Sequence, residues 1–187
     1  MFKEFSLQLV IGGVGGQGVL FVTRLLAEAA IDKGMPVFTS ETHGMAQRGG
    51  TVISHLKIGN FTSPLIRPGR ADGLIALKAE SLDQHGGFLK PGGWAVVNAS
   101  ESESTDSRRY LDADRLARET GVPRSANLFL LGYALACFVH EAEKPGLFHC
   151  DTDGIAAVLT RRLKDKPKML QASLTAMETG ARRATAT

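Results

Sequence analysis

The 187-residue sequence contains only two cysteines, Cys137 and Cys150. Two thiols this far apart in sequence are too few for a disulfide framework, a tetrahedral zinc site or an iron–sulfur cluster made by this chain alone. Cys137 lies in an apolar helical stretch, which is typical of a small buried side chain. Any electron carrier that works with this protein is therefore expected on another polypeptide.

The sequence also lacks a long hydrophobic run and a large net charge. Its longest apolar run, residues 128–139, is interrupted by Gly132 and is too short to span a bilayer. The first residues include Glu4 and no apolar core of signal-peptide length, so we expect a cytoplasmic protein without membrane association. The net charge of +3 is too small to indicate a nucleic-acid partner. Basic residues are concentrated in residues 161–187, which we interpret as solvated helix ends.

Hydrophobic periodicity predicts a single α/β domain over residues 1–187. Residues 6–11 read as a strand that runs into a glycine turn, residues 19–30 as a helix with an apolar stripe, and residues 37–40 as a second strand. This Rossmann-like βαβ start implies a mostly parallel sheet. Further strands are predicted at 51–58, 74–77 and 94–97, a short helix at 78–88, and a helical C-terminal third with helices at 112–120, 126–143, 154–163 and 168–180.

The first glycine-rich segment follows a predicted strand and opens a predicted helix. Gly13, Gly15 and Gly18 satisfy the pattern G-x-G-x-x-G in that context, where backbone N–H groups at a helix start attract a phosphate. Glu41, just past the expected end of the second strand, stands where a dinucleotide site places an acid for a ribose hydroxyl. Alternatively, the glycines only allow the helix and sheet to pack closely.

The second segment, residues 41–50 with the sequence ETHGMAQRGG, is the more unusual of the two. It concentrates a carboxylate, a hydroxyl, an imidazole, an amide and a guanidinium at the carboxyl end of a strand, where open α/β sheets hold ligands and interfaces. Arg48, which is followed by two glycines, can offer its fork of donors to a carboxylate or phosphate with little steric cover. The alternative is a polar loop that ties down its own backbone. The candidate binding residues are Gly13, Gly15, Gly16, Gln17, Gly18, Glu41, Thr42, His43, Arg48, Gly49 and Gly50; none is assigned as catalytic or metal-binding.

Three motifs together resemble a known family. Residues 13–18 (GVGGQG), residues 41–52 (ETHGMAQRGGTV) and residues 127–132 (NLFLLG) are similar to the gamma subunit or domain of 2-oxoacid:ferredoxin oxidoreductases. The second motif looks most like the small (beta) subunit of indolepyruvate:ferredoxin oxidoreductase. The likeness covers about residues 6–140 and weakens in the C-terminal helices.

The resemblance implies a role in the oxidative decarboxylation of a 2-oxoacid, such as indolepyruvate or another aryl 2-oxoacid, to an acyl-CoA. In that family the complex uses coenzyme A, thiamine diphosphate, Mg²⁺ and iron–sulfur clusters of the 4Fe–4S type, and passes electrons to ferredoxin. For the indolepyruvate type, thiamine diphosphate and clusters are on a large partner subunit. The resemblance therefore implies an accessory subunit that is not active alone.

Two roles for the glycine-rich segments remain open. They can face the large subunit near its active-site entrance, where the N–H groups of the first segment and Arg48 would receive an anionic part of coenzyme A. They can instead build only the subunit interface. Two further alternatives are a stand-alone NAD(P)-binding oxidoreductase, based on G-x-G-x-x-G and Glu41, and a non-catalytic scaffold subunit.

Overall fold

The computed structural model of the chain describes residues 5–43, 50–100, 104–105, 107–138 and 151–184. One sheet and two layers of helices of unequal size make up this part. The strands are β1 (Leu7–Val14), β2 (Val37–His43), β3 (Thr51–Ile58), β4 (Ala71–Ala76), β5 (Leu89–Asn98) and β6 (Arg108–Leu111). The helices are α1 (Val19–Asp32), α2 (Glu80–His85), α3 (Ala113–Glu119), α4 (Ala126–Phe138), α5 (Thr152–Arg162) and α6 (Pro167–Ala184), with 3-10 turns at Gly86–Phe88 and Pro123–Ser125.

The strand order is β2-β3-β1-β4-β5-β6. β1, β4, β5 and β6 run parallel, and β3 is antiparallel to both of its neighbours, β1 and β2. The predicted α/β class with a mostly parallel sheet is thus confirmed. The βαβ start differs in one respect, because β3 lies between β1 and β2. β2 still runs in the direction of β1, but it reaches the sheet through a β2–β3 hairpin.

The sheet has a thick side and a thin side, which we call the inner and outer faces. Residues of β1, β3, β4 and β5 that alternate toward the inner face form the main core with α1, α3, α4, α5 and α6. Trp94 of β5 is buried there and stacks on Phe138 with ring centroids 4.4 Å apart. The outer face has a smaller core around Val10, Leu74 and Val97, and α2 packs over β1, β4 and β5 on that side.

Helices α4 and α6 cross at backbone contact. Gly132 of α4 faces the carbonyl of Met177, and Gly180 of α6 faces the carbonyl of Phe129. A Cβ atom at either glycine would overlap the opposing backbone, so glycine is needed at both positions for this distance of approach. The crossing closes the inner core over the sheet.

Ion pairs join the outer surfaces of α1 and α5. Glu28 accepts hydrogen bonds from Arg162, and Arg161 donates to Asp32 at 2.9 Å. The hydrogen bonds from Arg162 are the main cause that lowers the pKa of Glu28. Two of the basic residues interpreted as a solvated helix end are therefore paired with another helix.

Most predicted elements are present, with shifted bounds. β1 extends through Gly12 and Gly13 to Val14, and β2 extends past residue 40 to His43. β6 was not predicted, because its four residues follow a polar segment and lie at the sheet edge. α4 ends its described part at Phe138, and the predicted continuation to residue 143 lies outside the described residues. In the parts of the chain that the structure describes, no helix is both long and apolar enough to cross a bilayer.

Candidate ligand site at the carboxyl edge of the sheet

The two glycine-rich segments meet at the carboxyl edge of β1. Val14, the last residue of β1, pairs with Thr51, the first residue of β3. Just beyond this pair, the N–H of Gly15 donates to the carbonyl of Gly50 at 3.0 Å. The described ends of the two segments therefore lie next to each other, as predicted. Residues 44–49, which include Arg48 and Gly49, lie outside the described residues.

Gln17 braces the first glycine turn with its side chain. Its Oε1 accepts from the N–H of Val14 at 2.9 Å, and its Nε2 donates to the carbonyl of Leu77 at 3.2 Å. The same residue closes the turn through its own N–H, which donates to the carbonyl of Val14 at 3.1 Å. The amide of Gln17 therefore fixes the turn to the end of β4. Its oxygen and its nitrogen each already have a partner within the chain.

Helix α1 begins directly after the turn, at this edge of the sheet, and no side chain caps its first N–H groups. Gly16 and Gly18 have φ angles of 94° and 84°, in the left-handed region that glycine adopts readily. A Cβ at Gly18 would also collide with the side-chain amide of Asn127, at the start of α4. The first N–H groups of a helix have no partner within it, so the start of α1 is suited to hold an anion.

An open cleft of about 450 Å³ lies beside the turn. It is bounded by the ends of β4 and β5 and by the starts of α3 and α4, so several chain segments converge at it. Its polar lining consists of Gly16, Gln17, Asn98, Asp114, Arg124 and Asn127. Arg124 brings a positive charge to this lining and Asp114 a carboxylate, while Gly16 and Gln17 belong to the turn that leads into α1.

The side chain of Asn98 connects three elements that border the cleft. This residue is buried at the end of β5, and its Nδ2 donates to the carbonyl of Leu77 at 3.1 Å and to Asp114 at 3.0 Å. Its Oδ1 accepts from the N–H of Ala113 at 2.9 Å, at the start of α3. The ends of β4 and β5 and the first turn of α3 are thereby joined by one amide.

Sequence reasoning missed three lining residues, Asn98, Asp114 and Arg124. One signal was available, because Asn98 directly follows the predicted strand at 94–97, and polar residues at the carboxyl ends of parallel strands converge at one edge. Asp114 and Arg124 carry no comparable signal, since each resembles an ordinary surface residue of a helix start. Asn127 belongs to the motif at residues 127–132, which by itself does not indicate a lining residue; it lies within α4, with its side-chain amide against Gly18.

The predicted residues of the second segment occupy different places. Glu41 and Thr42 lie within β2, where Glu41 pairs with Ser54 of β3. His43 is the last residue of β2. Because β3 separates β2 from β1, Glu41 is two strands away from the glycine turn, about 10 Å at the usual strand spacing. A dinucleotide site needs the acid on the strand next to the turn, so this arrangement disfavours the NAD(P) alternative.

Comparison with known proteins gives one family for most of the chain. The sequence family described as "Pyruvate ferredoxin/flavodoxin oxidoreductase" matches residues 8–183. The protein named indolepyruvate oxidoreductase subunit IorB from Methanothermobacter thermautotrophicus is 41% identical over 174 residues, which cover 81% of this chain and 89% of that protein. The subunit of the same name from Archaeoglobus fulgidus is 38% identical over 117 residues, so the match spans 60% of this chain and only 58% of the relative.

A solved structure shares the fold. The 2-oxoglutarate:ferredoxin oxidoreductase from Magnetococcus marinus, determined with 2-oxoglutarate, coenzyme A and succinyl-CoA bound, superimposes with a TM-score of 0.77 at 21% identity. The match covers 99% of this chain and 32% of the larger one. This domain architecture therefore occurs as about a third of a longer polypeptide.

Proposed function

Because the chain belongs to the pyruvate ferredoxin/flavodoxin oxidoreductase family, we propose that it is the small subunit of a 2-oxoacid:ferredoxin oxidoreductase that acts on indolepyruvate or another aryl 2-oxoacid. The names of the relatives from M. thermautotrophicus and A. fulgidus support the indolepyruvate assignment. The domain, proposed to extend over residues 1–187, works in the cytoplasm as part of a hetero-oligomer.

Chemistry and binding are divided between two subunits in this proposal. A large partner subunit carries thiamine diphosphate with Mg²⁺ and the 4Fe–4S clusters, which supply decarboxylation and electron transfer to ferredoxin. Among the described residues of this chain, no three His, Cys, Asp or Glu side chains are grouped so as to hold a metal. This chain contributes positioning groups, and no catalytic residue is assigned to it.

The cleft at the carboxyl edge receives an anionic part of coenzyme A in this proposal. The observation that carries this assignment is that Gly16 and Gln17 of the glycine turn, which leads into the uncapped start of α1, border one cleft together with Arg124 and Asn127. Helix N-termini and guanidinium groups are the donors that phosphate oxygens prefer. Arg48, the other residue predicted to receive this anion, lies outside the described residues.

The first test is co-purification of the chain from its native source. We expect a large subunit that contains thiamine and iron and that, together with this chain, oxidises indolepyruvate with ferredoxin as acceptor in a reaction dependent on coenzyme A. A chain that purifies alone and turns over a 2-oxoacid, or that binds NAD(P) tightly, would refute the proposal.

The second test examines the cleft in the assembled enzyme. Arg124→Gln and Asn127→Ala should each raise the KM for coenzyme A. For Arg124 the increase should be at least about tenfold, because loss of a charged hydrogen bond costs about 1.5–3 kcal/mol. Arg118→Gln is the matched control, since Arg118 is an exposed arginine on α3 that does not border the cleft. Arg48→Ala tests the neighbouring segment in the same assay.

The competing account, in which the glycine-rich segments form only the interface, predicts a different pattern. In that case these substitutions would weaken association with the large subunit and leave the KM for coenzyme A unchanged. If association, turnover and KM are all unaffected, the cleft has neither role.

A further inference from the structure

Two histidines are buried under the chain segments that contact the outer face of the sheet. His55 of β3 is 4% exposed, and His85, the last residue of α2, is 9% exposed. We call these segments the outer cover and define it as residues 59–70, between β3 and β4, and residues 80–88, which form α2 and the 3-10 turn after it. A buried imidazole is costly to charge, so the protonation state of these two rings matters for the fold.

His55 contacts both segments of the outer cover. The N–H of Ile66 donates to its Nδ1 at 3.3 Å, and the ring of Phe88 packs edge-on against the imidazole with ring centroids 5.2 Å apart. Because Nδ1 accepts this hydrogen bond, it carries no proton, and His55 is neutral with its proton on Nε2. A second proton on the ring would go to Nδ1 and would abolish the hydrogen bond from Ile66.

His85 lies in surroundings that also disfavour a charge. Its ring packs on Gly12 of β1 so closely that a Cβ at Gly12 would lie 2.7 Å from the imidazole Cδ2. Its Nε2 is buried and has no hydrogen-bond partner among the described residues. Both nitrogens of an imidazolium carry protons, so a charged His85 would place an Nε2–H group in the interior without an acceptor.

The two imidazoles lie close to each other on this face. His55 pairs with Val10 of β1, and His85 covers Gly12, two residues farther along the same strand. Burial lowers the pKa of both histidines. The charges of His85 and Lys57 lower the pKa of His55 further, so the two rings disfavour protonation for the same reasons.

No carboxylate in the described part of the chain compensates for a charge on either ring. The charged residues of the surrounding elements are Lys57, Arg67, Arg70, Asp72, Lys78, Glu80, Asp83 and Lys90. Asp72 is bonded to Lys90, and Glu80 is bonded to Lys78 at 3.2 Å. Among the described residues, neither these carboxylates nor Asp83 forms an ion pair with His55 or His85.

We propose that the outer cover is an acid-sensitive element of the fold, which neutral His55 and His85 keep on the sheet and which a proton on either imidazole releases. In the released state the cover leaves the sheet and both rings reach water. This inference goes beyond the proposed function and does not depend on it, because it concerns the fold of the chain itself.

Release of the outer cover would affect the second glycine-rich segment. The hydroxyl of Thr51 donates to Oε1 of Gln84 at 3.3 Å, which joins the start of β3 to α2. Thr51 directly follows Gly50, whose carbonyl accepts from the N–H of Gly15 in the glycine turn. We therefore expect acid to loosen the start of β3, at the edge of the sheet where the candidate cleft lies.

The size of the effect follows from the difference in pKa between the closed and released states. A histidine in water has a pKa of 6.5, and burial lowers the pKa of both rings in the closed state. The contacts of the two neutral rings therefore stabilise the closed cover fully above pH 6.5, and this stabilisation is lost as the pH falls through 6.5 toward the closed-state pKa. Between about pH 7.5 and about pH 5.5, opening should become more favourable by up to about tenfold for each imidazole.

Proton NMR of the full chain measures the titration of each ring. The imidazole signals are assigned by their loss in the single variants His55→Asn and His85→Leu. We expect both titration midpoints in the wild type to lie below 6.5. A midpoint at or above 6.5 for either ring would overturn the proposal, because the closed cover would then accept that proton without penalty.

Amide hydrogen exchange tests the release itself. The two substitutions are combined, because asparagine at position 55 still offers an oxygen to the N–H of Ile66 and leucine at position 85 fills a similar volume without a polar group. Neither new side chain titrates. Wild type and double variant are compared at the same pH, so the intrinsic effect of pH on exchange cancels. Between about pH 7.5 and about pH 5.5, the ratio of their exchange rates should rise at least about fivefold at Ile66 and in α2.

Gln84→Ala is the matched control, since it removes a contact of the same helix without changing a group that titrates. Its exchange rates relative to the wild type should be the same at both pH values. If the ratio for the double variant is also independent of pH, the two histidines do not control the outer cover and the inference fails. Should the double variant not fold, each single variant is measured in the same way, and the NMR titration of the wild type remains decisive.

Discussion

Replacing Gly132 by alanine should destabilise the domain, because α4 and α6 touch there at backbone distance. The new Cβ would lie 2.8 Å from the carbonyl carbon of Met177, whereas carbon atoms prefer about 3.5–4.0 Å, so α6 has to retreat by about 1 Å. The cost should lie at the upper end of the usual range for overpacking, about 3 kcal/mol, because the Cβ meets backbone atoms, the carbonyl oxygen most closely. The better helix propensity of alanine returns about 1 kcal/mol. We expect a net loss of about 2 kcal/mol, which lowers the Tm by about 4–8 °C for a chain of this size.

Thermal unfolding followed by circular dichroism measures this loss, with Gly86→Ala as the matched control. Gly86, at the end of α2, has a helical φ of −57°, and a Cβ there would find its nearest neighbour, Leu82 Cδ1, at 3.9 Å. The control should melt at or above the temperature of the wild type. The double variant Gly132→Ala and Gly180→Ala should lose less than the sum of the single losses, because one displacement relieves both contacts. A Gly132→Ala protein that melts within about 1 °C of the wild type would refute the close crossing.

Two further predictions concern the glycine turn and the surface ion pairs. Gln17→Ala leaves the N–H of Val14 without its acceptor and removes one of the two hydrogen bonds to the carbonyl of Leu77, which keeps the bond from Asn98. The free energy of unfolding measured in urea should fall by about 1–3 kcal/mol, and an unchanged midpoint would contradict the brace. The pKa of Glu28 is lowered from 4.5, chiefly by hydrogen bonds from Arg162, so its stabilising effect is complete above pH 4.5 and is lost as the pH falls through the folded-state pKa. Glu28→Gln should therefore lower the Tm at pH 7 and converge with the wild type in acid, and a Tm difference that persists at the lowest pH would exclude this charge effect.

Local patterns predicted the elements around the glycine turn well. The apolar stripe and the stop signals placed α1 correctly, and the β-branched run at 51–58 placed β3 at its observed bounds. Local sequence patterns could not predict the order of the strands in the sheet. An alternating pattern shows that a segment is a strand, but it does not show which strand lies next to it, because pairing depends on contacts distant in sequence. The insertion of β3, and with it the position of Glu41, could only come from the structure.

The sequence placed the two glycine-rich segments at the carboxyl edge of the sheet, but it did not indicate which side chains line the cleft there. Glycine at 13–18 indicated a phosphate-type turn, yet the role of Gln17 as a brace depends on the carbonyl of Leu77, which is 60 residues away. The lining by Asn98 and Arg124 depends on how α3 and α4 return to the sheet. Lys57 of β3 illustrates the same limit. A lysine in a strand normally indicates a solvent-facing position, but Lys57 is only 7% exposed and its Nζ lies 5.0 Å from the centre of the Phe61 ring.

The β2–β3 hairpin has a consequence for how this domain can change during evolution. Seven residue pairs hold β2 to β3 and eight hold β3 to β1, so the strands do not depend on the connection between them for their register. That connection leaves β2 after His43 and returns at Gly50, beside the turn that opens α1. Substitutions and changes of length in that connection can therefore accumulate during evolution without disturbing the pairing of the three strands.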